Sequence, residues 1–254
     1  MKLEGKVAIV TGSSGGMGRD IALTYAKEGA KVLAVARRAE RLASLVEEAK
    51  GFGGEIAAYS VDLSNQENVE SMVDEAIRVF GKLDILVNNA GIMDNMSGVG
   101  HATDEMYDQV FDVNVRAPFV AMRKAVNYFE TVGGGVIINV ASIGGLKGCA
   151  AGVIYTASKH ALLGMTKNTA YMYALKNIRC NAICPGAINT EIGSTESMKH
   201  LDPDGASRCG LAANVNPGAG EGKDIAAAAL YLASDDAAFV NGASLVIDGG
   251  FAAF

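Results

Sequence analysis

The chain has 254 residues, half of them apolar and a fifth charged, with 22 Lys or Arg against 28 Asp or Glu and a formal net charge of −6. That length suits one α/β domain over residues 1–254 with a sizeable core, and the apolar content excludes a disordered chain. An acidic balance with no basic block speaks against nucleic acid as a partner, and no apolar run approaches the roughly 18 residues of a membrane helix.

Short β-branched runs alternate with longer amphipathic stretches. Val7 to Val10 leads through a Gly-rich turn into a helical segment from Met17 to Lys27. Val32 to Val35 and Glu55 to Val61 read as the second and third strands, followed by helices over Ala39 to Lys50 and Asn65 to Phe80. A fourth strand, Asp84 to Val87, ends at Asn88-Asn89-Ala90-Gly91. After a polar loop to about Gly100, a helical region kinked at Pro118 runs to Phe129. Val136 to Val140 and Ile178 to Ile183 are the fifth and sixth strands, around a helix from Val153 to Leu175. A helix from Lys223 to Ala233 and a strand from Ser244 to Ile247 close the order. Such alternation predicts βαβ units and a doubly wound parallel sheet with helices on both faces. Residues 186–222 lack periodicity and leave the carboxyl end of the sixth strand, where ligands bind in such sheets, so they are expected to form a substrate lid.

The start, Met-Lys-Leu-Glu-Gly-Lys, runs directly into the first strand without a signal-peptide layout. Cys149, Cys180, Cys184 and Cys209 form no CxxC pair. Cys180 and Cys184 share a strand, where four residues span about 13 Å, beyond the roughly 7 Å limit for bridged Cα atoms. A reducing cytoplasm is the expected setting. His101, His160 and His200 are scattered, and no metal site is expected.

Thr11-Gly12-Ser13-Ser14-Gly15-Gly16-Met17-Gly18 joins the first strand to the first helix. Its glycines allow a sharp turn, close backbone approach to a pyrophosphate and close helix packing, while the helix N-terminus offers free N–H groups. The spacing is GxxxGxG, and no Gly-Lys-Ser/Thr of a Walker loop follows. At the end of the second strand stand Ala36-Arg37-Arg38 rather than the carboxylate that binds a ribose 2′-hydroxyl. Arginine suits a 2′-phosphate, so NADP(H) is expected in preference to NAD(H), with Arg37 the foremost contact. Tyr155 and Lys159 lie one helical turn apart on one face. A phenol acting as a base near neutral pH needs its pKa lowered by roughly 3, about 4 kcal/mol, and a neighbouring ammonium acts in that direction. Ser142 follows the fifth strand, where its hydroxyl can steady a substrate oxygen.

Taken in order, TGxxxGxG, Asp62, Asn88-Asn89-Ala90-Gly91, Asn114, Ser142, Tyr155-xxx-Lys159 and Pro185-Gly186 with Thr190 resemble the short-chain dehydrogenase/reductase family over nearly the whole chain. The resemblance implies a seven-stranded Rossmann sheet of order 3-2-1-4-5-6-7, usually in homotetramers. It implies that Tyr155 exchanges the substrate proton, that Lys159 tunes it and holds the nicotinamide ribose, that Ser142 binds the substrate oxygen, and that Asn114 steadies a relay water. Gly12, Ser13, Ser14, Gly16, Met17, Gly18, Arg37 and Arg38 would hold the phosphates. Asp62 and Leu63 would face adenine, Asn89, Ala90 and Gly91 the cofactor's middle, and Pro185, Gly186, Ile188 and Thr190 the nicotinamide. Many NADP-using members have a basic residue where this chain has Gly15.

Met93, Met96, Ile143, Leu146, Cys149, Val153, Ile188, Ile192 and Met198 are the expected pocket walls, an apolar set that favours a hydrophobic ketone or secondary alcohol such as a hydroxysteroid. The family pattern also fits a 3-oxoacyl-acyl-carrier-protein reductase, whose acidic partner would call for a basic entrance such as Arg123, Lys124, Lys167 and Lys176. A non-catalytic NADP sensor or scaffold on the same fold is the alternative of another class.

Overall fold

The computed structural model describes residues 1–194 and 199–253. Seven strands form one parallel sheet: β1 (Val7–Thr11), β2 (Lys31–Ala36), β3 (Glu55–Ser60), β4 (Ile85–Asn88), β5 (Gly135–Val140), β6 (Ile178–Pro185) and β7 (Ser244–Ile247). Their order is β3-β2-β1-β4-β5-β6-β7, as the resemblance implied. The order reverses between β1 and β4, which pair through Ala8–Ile85 to Val10–Val87, and a crevice therefore opens at their carboxyl ends.

Helices cover both faces because the strands are apolar on both. Helices α1 (Gly16–Lys27) and α2 (Ala39–Glu48) bury Ile21, Tyr25, Leu42 and Leu45 on one face. On the other, α3 (Gln66–Phe80) and α5 (Ala117–Val132) bury Val69, Met72, Val120 and Phe129. Between them in sequence lies α4 (Asp104–Phe111). The long α6 (Val153–Tyr173) packs along β6, and α8 (Gly222–Ala233) returns to pack on α1.

Two departures from the expected elements have local causes. The kink at Pro118 is a wide turn over Asp112–Arg116 that joins α4 to α5. Pro118 has no N–H to give the carbonyl four residues back, at Asn114, and its ring crowds that carbonyl. Within the segment expected to be a structureless lid, a 3₁₀ turn covers Glu191–Ser194 and a helix, α7, covers Pro203–Ala213. Its start signals are in the sequence: the Asp202 side chain caps the Gly205 N–H at 2.7 Å, and Pro203 occupies the first turn.

Thr11 fastens the crevice. Its hydroxyl accepts from the main-chain N–H groups of Asn89 (2.9 Å) and Ala90 (3.0 Å) and donates to the Val87 carbonyl. Asn89 Nδ2 returns a bond to the Thr11 carbonyl at 2.8 Å. A second buried chain runs from Asn88 to Asn139 and on to Thr166, each link 2.8 Å, and ties β4, β5 and α6 together. Thr11→Val keeps the shape and strands two N–H groups. It should lower stability by about 2 kcal/mol, seen as a lower urea midpoint with unchanged slope; an unaltered midpoint would show that Thr11 does not hold these strands.

Candidate active site

Every strand directs its carboxyl end to the same edge, and the glycine turn lies there. Gly12 has a φ of +71°, and a Cβ on it would stand 2.8 Å from Asn89 Nδ2. A Cβ on Gly18 would stand 2.4 Å from the same atom and 2.5 Å from the Gly12 carbonyl, so the helix can start this close to the turn only with glycine there. No side chain caps α1, and its first turn holds no acidic residue. The free N–H groups therefore face a groove of about 780 Å³.

Gly12, Ser14, Gly16, Met17, Arg37, Arg38, Asp62, Leu63, Asn89, Ala90, Gly91 and Thr190 line this groove. Ser13 and Gly18, expected among the phosphate contacts, are buried beneath it; the Ser13 hydroxyl is spent on the Val10 carbonyl at 2.6 Å. Pro185, Gly186 and Ile188 are not among the groove's lining residues. Pro185 ends β6, Gly186 lies against Asp248, and Ile188 bridges to Gly220. Of the two arginines, Arg38 lies across the turn: Nε and Nη2 donate to Ser14 Oγ at 3.2 and 3.0 Å. Its Nη1 meets Glu191 at 2.7 Å, and Arg41, a residue the sequence reading did not include, pairs with the same carboxylate. The Arg38 hydrogen bond, with that of Arg41 behind it, holds the Glu191 carboxyl below the usual carboxylate range. An extended dinucleotide with a helix-bound pyrophosphate fits this groove.

The four expected catalytic residues, Asn114, Ser142, Tyr155 and Lys159, come from different elements and are not among the groove's lining residues; Asn114 and Lys159 meet its wall from behind Gly91. A Cβ on Gly91 would touch Asn114 Oδ1 at 3.3 Å and Lys159 Nζ at 3.4 Å. Lys159 Nζ donates to the Val140 carbonyl at 3.1 Å and lies 5.5 Å from the centre of the Tyr155 ring. Ser142 and Tyr155 stand side by side: a Cβ on Gly144 would lie 3.3 Å from Tyr155 Cε1 and 3.4 Å from Ser142 Oγ. The Asn114 side chain is fully engaged, accepting from Ile92 N (2.9 Å) and donating to the Ile92 carbonyl (2.9 Å) and Ser158 Oγ (3.1 Å).

Residues 12–252 match the family model described as enoyl-(acyl carrier protein) reductase. The chain is 44% identical over 255 residues to 3β-hydroxysteroid dehydrogenase 2 of Eggerthella lenta, covering 99% of this chain and 96% of the relative. It is 36% identical to the 3-oxoacyl-acyl-carrier-protein reductase of Thermotoga maritima, over 98% and 99% of the two chains. The chain belongs to the short-chain dehydrogenase/reductase family. A Beutenbergia cavernae structure assigned as an NAD(P)-dependent gluconate 5-dehydrogenase, with NADP bound at low occupancy, superposes with a TM-score of 0.87 at 31% identity, covering 100% of this chain and 99% of that one. As a member of this family the protein is a nicotinamide-dependent oxidoreductase acting on alcohols and ketones.

The electrostatics of the Tyr–Lys pair differ from the expectation that Lys159 brings the phenol toward neutrality. Burial pushes Tyr155 up to about 12, opposed by the Ser142 hydrogen bond and reinforced by the charge of Asp94. The same burial lowers Lys159 to about 8. Burial is the largest cause for both groups, because each loses water around its charged form. Asp94 itself was not singled out from the sequence, since nothing local marks it. Of the expected pocket walls, Ile143 is buried, while Leu146, Cys149 and Val153 are exposed. Met198 lies outside the described residues.

The depressed Lys159 value makes stability depend on pH. The folded form binds fewer protons than the unfolded one between about 8 and 10.5, so Lys159 costs most below pH 8 and least above 10.5. Relative to wild type, Lys159→Met should gain about 3 kcal/mol at pH 7, an advantage that shrinks as pH rises toward 10. Paired denaturation curves from pH 7 to 10 check this, and a constant difference would contradict it.

Proposed function

We propose that this chain is one catalytic domain, working in the cytoplasm as a homotetramer, that uses NADP(H) in preference to NAD(H) to interconvert a hydrophobic ketone and its secondary alcohol, a hydroxysteroid foremost. The observation that carries the reading is the Ser142 hydroxyl and the Tyr155 ring side by side against Gly144, with the buried Lys159 amine 5.5 Å from the ring centre and reaching the groove wall at Gly91. The bound cofactor supplies or accepts a hydride at the carbonyl carbon.

In reduction, Tyr155 gives its proton to the substrate oxygen while the Ser142 hydroxyl donates to that oxygen and steadies the developing alkoxide. A phenol held up to about 12 is a competent proton donor at neutral pH and a poor base. The reverse direction draws on Lys159: its ammonium beside the ring stabilises phenolate, and its proton can be replaced from solvent. Because the Asn114 side chain is engaged and Pro118 leaves its main-chain carbonyl without an i+4 donor, that carbonyl is the group assigned to hold the relay water. Lys159 and Thr190 hold the nicotinamide end, and Arg38, with Arg37, the 2′-phosphate. The phosphate exchanges with the Glu191 carboxylate for Arg38.

The hydroxysteroid reading is supported by the Eggerthella relative's name and by apolar Leu146 and Val153, each more than a third exposed, on the segments that carry Ser142 and Tyr155. The Thermotoga relative's name supports a 3-oxoacyl thioester instead. Three of the four basic residues expected at its entrance, Arg123, Lys124 and Lys176, are paired with Glu70, Asp74 and Glu130, which leaves Lys167 as the one of the four without an ion pair among the described residues and weakens the attraction for an acidic carrier.

Tyr155→Phe should lower turnover by about 10³-fold while NADPH affinity, followed by cofactor fluorescence, changes less than threefold. Substantial turnover in the variant would remove Tyr155 from the chemistry. Arg38→Ala should weaken NADPH binding by about 10- to 100-fold and NADH binding little. Equal losses would show that Arg38 does not read the 2′-phosphate.

A further inference from the structure

Asp94 lies in the loop after β4, fully buried, with no basic side chain among its hydrogen-bond partners. Its Oδ2 accepts the main-chain N–H of Tyr155 at 2.9 Å, and its Oδ1 accepts those of Gly152 (3.2 Å) and Met96 (3.0 Å). The Val153 N–H is taken by the Ser97 carbonyl at 2.9 Å. Helix α6 has no capping side chain of its own, as its N-cap is Gly152. The donors of its first turn are thus met by a loop about 60 residues upstream.

We infer that Asp94 is a positioning residue for the acid–base tyrosine: it clamps the first turn of α6 to the loop after β4 and so sets where Tyr155 stands over the crevice. This rests on the proposed role of Tyr155. A carboxylate at a helix N-terminus meets both free N–H groups and the positive dipole end. The surroundings are built to receive it. A Cβ on Gly152 would lie 2.5–2.7 Å from all three carboxyl atoms, so only glycine admits Asp94 here. Met96 adopts a φ of +63°, a conformation side chains resist, and Asp94 Oδ1 holds its N–H there. The outer side of the same loop meets α7: Asn95 O accepts Asp202 N at 2.9 Å, and a Cβ on Gly205 would collide with the Met96 carbonyl. One buried carboxylate therefore stands between the loop that meets α7 and the backbone of Tyr155.

The test compares wild type with Asp94→Asn and Gly152→Ala. The amide replaces an acceptor by a donor against N–H groups, and the alanine pushes the carboxylate away while leaving its charge. Both should lower kcat at least tenfold with KM for the ketone and Kd for NADPH within threefold. Among the described residues, the charged groups that act on the Tyr155 ring are Lys159 and Asp94, with the Ser142 hydroxyl beside it. Removing the Asp94 charge should therefore also move the ionisation in the kcat–pH profile to lower pH. A carboxylate that only stabilised the fold would leave kcat of the folded variants unchanged. Unaltered kcat in the folded variants overturns the proposal. Hydrogen exchange of the full-length protein provides a readout independent of activity: the Tyr155 amide should be protected in wild type and exchange at least tenfold faster in Asp94→Asn. Rapid exchange in wild type overturns the proposal even if a variant does not fold. A wild type inactive on every ketone would count against the function and leave the clamp to be decided by exchange.

Discussion

The amine of Lys159 sits where almost no water reaches it, and the arrangement of the crevice follows from accommodating it. One hydrogen bond, to the Val140 carbonyl at the end of β5, anchors it. Gly91 after β4, Asn114 from the wide turn before α5 and Tyr155 one helical turn earlier enclose it. Two strands and two helices must converge on one atom for this to work, and a parallel sheet that changes direction between β1 and β4 brings them together. The cost of burial is visible in the amine's lowered pKa. Charge is thereby available on demand rather than fixed, which suits a group that passes protons.

Around that point the structure uses small residues and carboxamides where a larger side chain would separate the parts. Gly12 and Gly18 let the first helix begin against the turn, and Asn89 binds back to Thr11 across the switch point. The Asn88–Asn139–Thr166 chain fixes the register between sheet and α6 by fully satisfied hydrogen bonds. Buried polar networks of this kind give directional rigidity that apolar packing alone does not supply.

Much of this was legible beforehand because it is local. Strand positions followed from β-branched runs, and the turn from its glycines. Pro118 announced a distortion whose form, a widened turn presenting Asn114, needed coordinates. Helix α7 was missed although Asp202 and Pro203 are start signals, because its body has weak periodicity. Arg38 rather than Arg37 reaches Ser14, a matter of one residue of rotation at the strand end. A neighbouring ammonium is visible in a sequence, whereas the burial that raises the Tyr155 phenol is not. Asp94 was invisible for a related reason: its partners, Gly152 and Tyr155, are some 60 residues away.

On the proposed function, the reactive end of the cofactor meets the phenol and the amine at Gly91. A crystal structure with NADPH bound should then show the nicotinamide over Gly91, its ribose hydroxyls bonded to Tyr155 and Lys159, and the face toward Ser142 open. A nicotinamide turned to solvent, with Lys159 still held only by the Val140 carbonyl, would contradict it.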